Sequence, residues 1–200
     1  MADAPAIPFV GLTGAMGAGK SSALEALGRL GAATLSTDRV VHDLYERPDV
    51  VEAVVGRWGP LVAPGGVVDR AQVARHAFAD ADERSWLEGL LWPLVGAEVA
   101  AFREASAASV PPPRAMVVET PLLFEAGMDA AYDATIVVVT EEQLRRRRAQ
   151  ARGHEAVEER HERQMSQEEK ASRASFVVEN DGSLEELEAA LAGVLATLTE

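Results

Sequence analysis

The sequence predicts a three-layer α/β/α fold, in which helices cover both faces of a parallel β-sheet. Short β-branched apolar runs, such as AMVVE and DATIVVV, are typical of strands that are buried on both faces. Stretches with helical spacing of apolar residues alternate with these runs along the 200-residue chain. Because that alternation is typical of parallel sheets with crossover helices, the α/β class follows.

The first elements read as strand, loop, helix, strand and helix. IPFVGLT is too short for a buried helix and fits a buried strand. From Lys20 to Leu30 the apolar residues lie on one helical face, and Gly31 is a suitable stop. AATL predicts the second strand, and Ser36 to Arg47 predicts the helix that follows it.

The middle of the chain predicts a helical insertion in the sheet. Apolar spacing is helical from Asp49 to Ala108, with interruptions expected at the APGG turn and at Pro93. SVPPPR then reads as a stiff connector that leads back to the strands.

The last third predicts three more helix starts. Each has a hydroxyl residue three positions before Glu or Gln: Thr140 with Gln143, Ser166 with Glu169, and Ser183 with Glu186. SFVVE predicts a final strand, and a regular leucine stripe predicts the final helix.

Composition limits the classes of function. A net charge of −13 disfavours nucleic acid as a partner, and no apolar run is long enough to span a membrane. The absence of cysteine excludes disulfides, and the N-terminus has no basic signal region, so we expect a cytoplasmic protein. Lys20 and Lys170 are the only lysines, a skew that we attribute to codon usage.

The segment GLTGAMGAGKSS carries the strongest chemical signal. Gly14, Gly19, Lys20 and Ser21 satisfy the G-x-x-x-x-G-K-[ST] pattern between a predicted strand and a predicted helix. Such a loop binds the phosphates of ATP through backbone N–H groups and lysine, while the serine hydroxyl holds Mg²⁺. The predicted ATP-binding residues are Gly14, Ala15, Met16, Gly17, Ala18, Gly19, Lys20, Ser21 and Ser22. The fold is therefore predicted to be that of a P-loop NTPase.

Asp38 lies after the second predicted strand, where a parallel sheet places its ligand crevice. Its carboxylate could orient and deprotonate an acceptor hydroxyl, but Ser36, Thr37 and Asp38 are also good helix-capping residues. His42 lies one helical turn further on and is either a substrate contact or an ordinary surface histidine.

Five arginines lie between Arg145 and Arg152 on a predicted helix. Arg145 and Arg148 would share one face of it, while Arg146 and Arg147 would point elsewhere. One or two of the arginines could bind phosphate, and the others are expected to be solvated or paired with acidic neighbours.

Together these motifs resemble the dephospho-CoA kinase family, and the resemblance spans nearly the whole chain. The matching segments are GLTGAMGAGKSS, STDRVVHDL, GGVVDRAQVARHAF, LEGLLWP, ETPLLFEAG, EEQLRRR and VVENDGS. The resemblance implies transfer of the γ phosphate of ATP to the 3′ hydroxyl of dephospho-CoA with Mg²⁺. It also implies a core (7–48, 114–140 and 174–200), a helical CoA-binding domain (49–113) and a lid (141–173).

Site residues also follow from the resemblance. Asp38 becomes the base, Lys20 is joined in catalysis by the lid arginines Arg146 and Arg152, and Asn180 becomes an adenine contact. His42, Leu122, Leu123 and Phe124 become the substrate contacts. Two alternatives stay open, because Leu122 to Phe124 could be core packing and NDG is also a favourable turn sequence.

Three positions depart from the family pattern. Ser36 stands where the family has the first of two acids, Trp92 stands where it has histidine, and Gln150 stands where it has the second lid arginine. Arg148 or Arg152 could supply that second arginine.

Other functions remain as alternatives. Another P-loop kinase, acting on a nucleoside monophosphate or a small alcohol, would differ mainly in the acceptor domain. A GTPase switch is disfavoured because the chain has no Asn-Lys-x-Asp segment. A non-catalytic ATP-binding module would bind ATP without turnover. We expect a monomer that binds only small molecules, with an oligomer left open.

Overall fold

A computed structural model describes residues 6–151 and 164–199. Within these residues, five parallel strands form one sheet in the order β2-β3-β1-β4-β5. The strands are β1 (Phe9–Gly14), β2 (Ala33–Ser36), β3 (Met116–Glu119), β4 (Ala134–Val139) and β5 (Phe176–Glu179). The predicted parallel α/β architecture is confirmed.

The described helices follow the strands as the sequence spacing predicts. They are α1 (Lys20–Arg29), α2 (Thr37–Leu44), α3 (Pro48–Trp58), α4 (Arg70–Ala79), α5 (Ala81–Ala107), α6 (Glu142–Ala151), α7 (Gln167–Arg173) and α8 (Leu184–Leu198). Short 3₁₀ turns lie at Pro60–Val62, Pro64–Gly66 and Asp129–Ala131. No helix in the described ranges is long and apolar enough to cross a membrane.

Apolar side chains cover both faces of the sheet. Leu12, Ile136 and Val138 share one buried cluster with residues of α1 and α8, namely Ala23, Ala26, Leu27, Leu187, Leu191 and Leu195. Val137 faces the other way and packs with Leu123 and Phe124. Because neighbouring residues of a strand point to opposite faces, this alternation produces the three layers.

Two local expectations are wrong. Pro93 lies inside α5, and the helix continues through it. In a helix of 27 residues the other backbone hydrogen bonds outweigh the one that proline removes. Thr140 does not cap α6, because its hydroxyl donates instead to the carbonyl of Ala18 at 3.0 Å, and α6 begins only at Glu142. The capping boxes of Ser166 and Ser183 are both present.

The chain divides into two compact units, 1–36 with 102–200, and 37–101. The first contains the sheet with α1, α6, α7 and α8. The second is helical and begins at residue 37, whereas the sequence places the start of its helical domain at 49. The assignment of a CoA-binding domain and a lid stays a prediction.

Aromatic residues stabilise the 37–101 unit. The ring of Trp58 stacks on His76 with centroids 5.2 Å apart and meets Trp86 edge-on at 5.0 Å. The Trp58 indole N–H donates to the Glu83 carboxylate at 2.8 Å. The third tryptophan, Trp92, lies in the same unit and is half exposed.

Candidate active site

The phosphate loop joins β1 to α1, as the motif predicts. Gly17 and Gly19 have φ angles of 80° and 94°, in the left-handed region that favours glycine. A Cβ atom on Gly19 would lie only 2.0 Å from the side-chain nitrogen of Asn180. Gly19 is the N-cap of α1 and has no side chain that could cap the helix. The positive end of the α1 dipole therefore lies at the loop.

Lys20 folds back over the loop that precedes it. Its Nζ donates to the carbonyl of Gly14 at 3.0 Å and to that of Ala15 at 3.3 Å. The side chain is half-buried. The two hydrogen bonds hold the ammonium beside the loop in which the motif predicts bound phosphates. The role that the motif assigns to Lys20, contact with the phosphates, stays a prediction.

Ser21 lies exposed in the first turn of α1, and Ser22 follows it half-buried. A serine hydroxyl is a hard oxygen ligand that suits Mg²⁺, which takes few protein ligands when it arrives with a nucleotide. In the described part of the chain, no group of three or more His, Asp or Glu residues could hold a metal. The Ser21 hydroxyl is chemically suited to Mg²⁺ that arrives with ATP, and its role as a metal ligand stays a prediction.

Two buried side chains fasten the carbonyl of Ala18 in the loop. Asn180, directly after β5, is 5% exposed and donates its amide nitrogen to Ala18 at 2.8 Å. Thr140, directly after β4, donates its hydroxyl to the same oxygen. The geometry thus gives Asn180 a loop-holding contact, while its adenine contact stays a prediction.

Helix α6 approaches the loop with one face. Arg145 donates to the carbonyl of Met16 at 3.3 Å, and Arg148 donates to that of Asn180 at 2.8 Å. A Cβ atom on Gly17 would lie 2.5 Å from the backbone oxygen of Arg145. The helical spacing correctly placed Arg145 and Arg148 on one face, and the sequence left Arg148 open as a phosphate-binding arginine. It gave no signal for the contact of Arg145 with Met16.

Of the two lid arginines predicted for catalysis, Arg146 is the one among the described residues. Arg146 is exposed and pairs with Glu142 on the surface of α6. Arg152 lies outside the described residues. Their catalytic role stays a prediction, and the structure brings Arg145 and Arg148, rather than Arg146, to the loop.

Ser36 and Glu119 meet where the neighbouring strands β2 and β3 end. They are register partners, and the Ser36 hydroxyl donates to the Glu119 carboxylate at 2.6 Å. Glu119 is 5% exposed. Ser36, at the position where the family has its first acid, therefore donates a hydrogen bond to a buried carboxylate. An acidic residue at this position would place a second negative charge beside Glu119.

Asp38 and His42 belong to the 37–101 unit, where they lie one turn apart on α2 and are both exposed. Arg70, at the start of α4, lies 3.1 Å from Nδ1 of His42. A guanidinium can only donate, so this Nδ1 accepts. Sequence analysis did not single out Arg70, although it stands in the motif GGVVDRAQVARHAF.

The predicted contacts with the phosphate acceptor lie in the turn after β3 and differ in their exposure. Leu123 and Phe124 are 0% and 3% exposed and pack in the core, whereas Leu122 is 37% exposed. The geometry favours the packing alternative for Leu123 and Phe124. A substrate contact of Leu122 stays a prediction.

Comparison with known proteins identifies the family of the chain. The family profile described as dephospho-CoA kinase matches residues 8–186. A curated dephospho-CoA kinase of Deinococcus radiodurans is 37% identical over 94% of this chain and 91% of its own length. A crystal structure from Thermus thermophilus is 36% identical with a TM-score of 0.80, covering 98% of this chain and all of that one.

A more distant structure shares the fold. Dephospho-CoA kinase from Campylobacter jejuni is 24% identical and has a TM-score of 0.67, covering 95% of this chain and 96% of that chain. The residues matched by the profile include the phosphate loop, the helical unit and Asn180. The chain belongs to the dephospho-CoA kinase family.

Proposed function

We propose that this protein transfers the γ phosphate of ATP to the 3′ hydroxyl of dephospho-CoA, producing ADP and CoA. The phosphate loop with Lys20 folded over it carries the proposal for the donor. Family membership supports the choice of acceptor. The helical unit 37–101 supplies the surface on which we place a large acceptor nucleotide.

Lys20 and the loop amides hold the donor phosphates. The N-terminus of α1 favours anions, and the ammonium adds positive charge beside the transferred group. Mg²⁺ on Ser21 would neutralise charge on the phosphates when ATP is bound. Asn180 and Thr140 keep the loop in this shape by fixing the carbonyl of Ala18.

Asp38 is the proposed base. As the acceptor 3′ oxygen bonds to the γ phosphorus, the bond from that phosphorus to the bridging oxygen breaks and ADP leaves. The hydroxyl proton passes to the Asp38 carboxylate, which also orients the oxygen for attack. Asp38 is exposed on α2, so its carboxylate is accessible to a ligand.

The proposal extends to the setting of the enzyme. We propose a monomer that acts on small molecules in the cytoplasm. The acidic composition disfavours nucleic acid as a partner, and the absence of cysteine is compatible with a reducing compartment. Size-exclusion chromatography coupled to light scattering tests the monomer. A particle of twice the 21.3 kDa chain mass would contradict it.

The first experiment measures ADP release with MgATP and dephospho-CoA, beside nucleoside monophosphates, adenosine and shikimate. We expect turnover only with dephospho-CoA and a product phosphorylated on the ribose 3′ oxygen, identified by ³¹P NMR. Turnover with another acceptor and none with dephospho-CoA would contradict the assignment and favour another small-molecule kinase.

Asp38→Asn tests the base. We expect turnover to fall roughly a hundredfold or more because general base catalysis is lost, with MgATP binding preserved. Asp43→Asn on the same helix is the matched control and should keep wild-type turnover. Equal turnover of both variants would remove Asp38 from the mechanism.

A further inference from the structure

Lys170 is fully buried at 0% exposure in the short helix α7. Its Nζ lies 2.8 Å from the carbonyl of Pro121, 3.0 Å from Oε1 of Glu125 and 3.5 Å from the hydroxyl of Thr13. An ammonium has three protons, one for each of these acceptors, and the contact with Thr13 is the longest and weakest of the three.

The three partners belong to separate parts of the chain. Thr13 is fully buried and directly precedes Gly14, where the phosphate loop begins. Pro121 and Glu125 bound the turn that follows β3. One ammonium therefore joins the root of the phosphate loop to this turn and to α7.

Glu125 extends the connection. The same Oε1 that pairs with Lys170 accepts a hydrogen bond from the backbone N–H of Met165 at 2.9 Å. Met165 lies just before α7, within the segment 141–173 that the resemblance assigns to a lid. Thr13 also donates to the carbonyl of Pro121 at 3.2 Å, which closes the cluster.

This arrangement is costly for stability alone. Burial lowers the pKa of the Lys170 ammonium, which shows the desolvation penalty, while Glu125 opposes part of that shift. Well-packed apolar side chains often replace such buried pairs without loss of stability. A role beyond stability is therefore favoured.

Residue usage favours the same conclusion. The chain has 19 lysines and arginines, of which only Lys20 and Lys170 are lysines. Lys20 contacts the carbonyls of Gly14 and Ala15, and Lys170 contacts the hydroxyl of Thr13. The two lysines therefore contact three consecutive residues, where β1 ends and the phosphate loop begins. Codon usage accounts for the many arginines but not for this placement.

We propose that Lys170 is a positioning residue for phosphoryl transfer, which holds the root of the phosphate loop against the Pro121–Glu125 turn and the chain leading into α7. It acts through Thr13, Pro121 and Glu125 and touches no substrate. The catalytic part of this inference rests on the proposed function, whereas the effect on the loop does not.

The central test compares Lys170→Met with the double variant Lys170→Met/Glu125→Gln. The single variant leaves a buried carboxylate without its cation, and Oε2 of Glu125 has no hydrogen-bond partner within the described residues. We expect a large fall in thermal midpoint for the single variant and recovery of most of it in the double variant, which has no unpaired charge.

Activity separates positioning from stability. In the double variant we expect kcat to stay roughly tenfold to a hundredfold low, with KM for dephospho-CoA unchanged, because small misplacements of reacting groups are costly. Leu195→Ala, in the core on the other face of the sheet, is the control that lowers stability without touching the cluster. Recovery of kcat together with the midpoint would overturn the proposal.

Hydrogen exchange of the amides from Gly14 to Ser22, measured on the protein without added nucleotide or acceptor, provides the second readout. We expect faster exchange in the double variant and wild-type rates in Leu195→Ala. Unchanged loop exchange would overturn the proposal. Absence of turnover by the wild-type protein would contradict the proposed function alone and leave this readout in force.

Thr13→Val is a separate variant that tests the proposal if the double variant does not fold. It removes the hydroxyl that Lys170 reaches and keeps the shape of the side chain. We expect faster loop exchange again, by a smaller factor, because Pro121 and Glu125 still hold the ammonium. Wild-type exchange in Thr13→Val would show that Lys170 does not act on the loop.

Discussion

Gly19 is the residue at which the phosphate loop tolerates least change. Gly19→Ala would force a methyl group against Asn180 at 2.0 Å and place alanine at a φ of 94°. We expect a loss of about 1–3 kcal/mol in the free energy of unfolding from the strained backbone. MgATP binding, measured by calorimetry, should weaken because Asn180 can no longer hold Ala18.

Gly56→Ala is the matched control. Gly56 lies in α3 in the 37–101 unit, and a Cβ atom there would meet nothing within 4 Å. We expect it to stabilise the protein by about 0.5–1 kcal/mol, as alanine does inside a helix, with MgATP binding unchanged. Wild-type ATP affinity in Gly19→Ala would contradict the steric argument.

Ser36 is the second test at the scale of a residue. Ser36→Ala removes the donor that lies 2.6 Å from the buried carboxylate of Glu119. We expect the free energy of unfolding to fall by about 1–3 kcal/mol because hydrogen bonds to charged groups are among the stronger ones. Urea unfolding measures this change.

Ser172→Ala serves as the control, since that exposed hydroxyl donates to the carbonyl of Glu169, one turn earlier in the same helix. It should change stability by less than about 0.5 kcal/mol. Ser36→Asp, which places two carboxylates together, should be less stable than Ser36→Ala. Equal stability of Ser36→Ala and Ser172→Ala would show that the Ser36 contact contributes little.

The buried ammonium of Lys170 predicts a dependence of stability on pH. Between its lowered pKa and the ordinary lysine value of 10.5, the unfolded chain keeps a proton that the folded chain has released. The penalty for burying the charge is present below the lowered pKa and is relieved as pH rises. The free energy of unfolding therefore increases with pH in this window.

The measurement compares wild type with Lys170→Met/Glu125→Gln. The difference in free energy of unfolding should move in favour of wild type as pH is raised towards 10.5. Tyr132, whose pKa is raised by burial, is present in both proteins and cancels in the difference. A difference that is constant or falls with pH would contradict the prediction.

Among the elements, α6 allows the sharpest comparison. Arg145 donates to Met16 in the loop, and Arg148 donates to Asn180, which holds the loop. Arg146 instead pairs with Glu142 on the exposed surface of the helix. We expect Arg145→Ala and Arg148→Ala to weaken MgATP binding by roughly tenfold, since a hydrogen bond from a charged group contributes about 1.5–3 kcal/mol. Arg146→Ala should have a smaller effect.

Calorimetric titration with MgATP separates the three variants, and thermal unfolding checks that each is folded. A larger loss in Arg146→Ala than in the other two would favour the assignment that the family spacing implies. It would also show that the contacts of Arg145 with Met16 and of Arg148 with Asn180 are unimportant for nucleotide binding.

The helix boundaries illustrate what sequence spacing can and cannot predict. Ser166 and Ser183 form their capping boxes because both partners lie within four consecutive residues. Thr140 has the same local pattern, yet its hydroxyl is drawn to Ala18, which is 122 positions away in the sequence. A local pattern cannot anticipate such a competitor.

For the molecule as a whole, the predictable features are those encoded in short segments. The strands, the phosphate loop and the order of the motifs follow from spacing and glycine placement. The contacts of Arg145 with Met16 and of Lys170 with Thr13 join segments more than 100 residues apart. In the sequence Lys170 stands among glutamates, a pattern typical of an exposed helix, so its burial had no local signal.

The distribution of aromatic residues gives the molecule a spectroscopic asymmetry. All three tryptophans, Trp58, Trp86 and Trp92, lie in the 37–101 unit, and the sheet-bearing unit has none. Because Tyr132 lies in the sheet-bearing unit, tryptophan must be excited selectively, and its emission then reports on the helical unit. We expect dephospho-CoA to change the emission more than MgATP does, and equal responses would argue against acceptor binding by this unit.

In denaturant, tryptophan fluorescence would follow the unfolding of the helical unit, while circular dichroism would follow the unfolding of both units. Diverging midpoints would therefore reveal that the two units unfold separately.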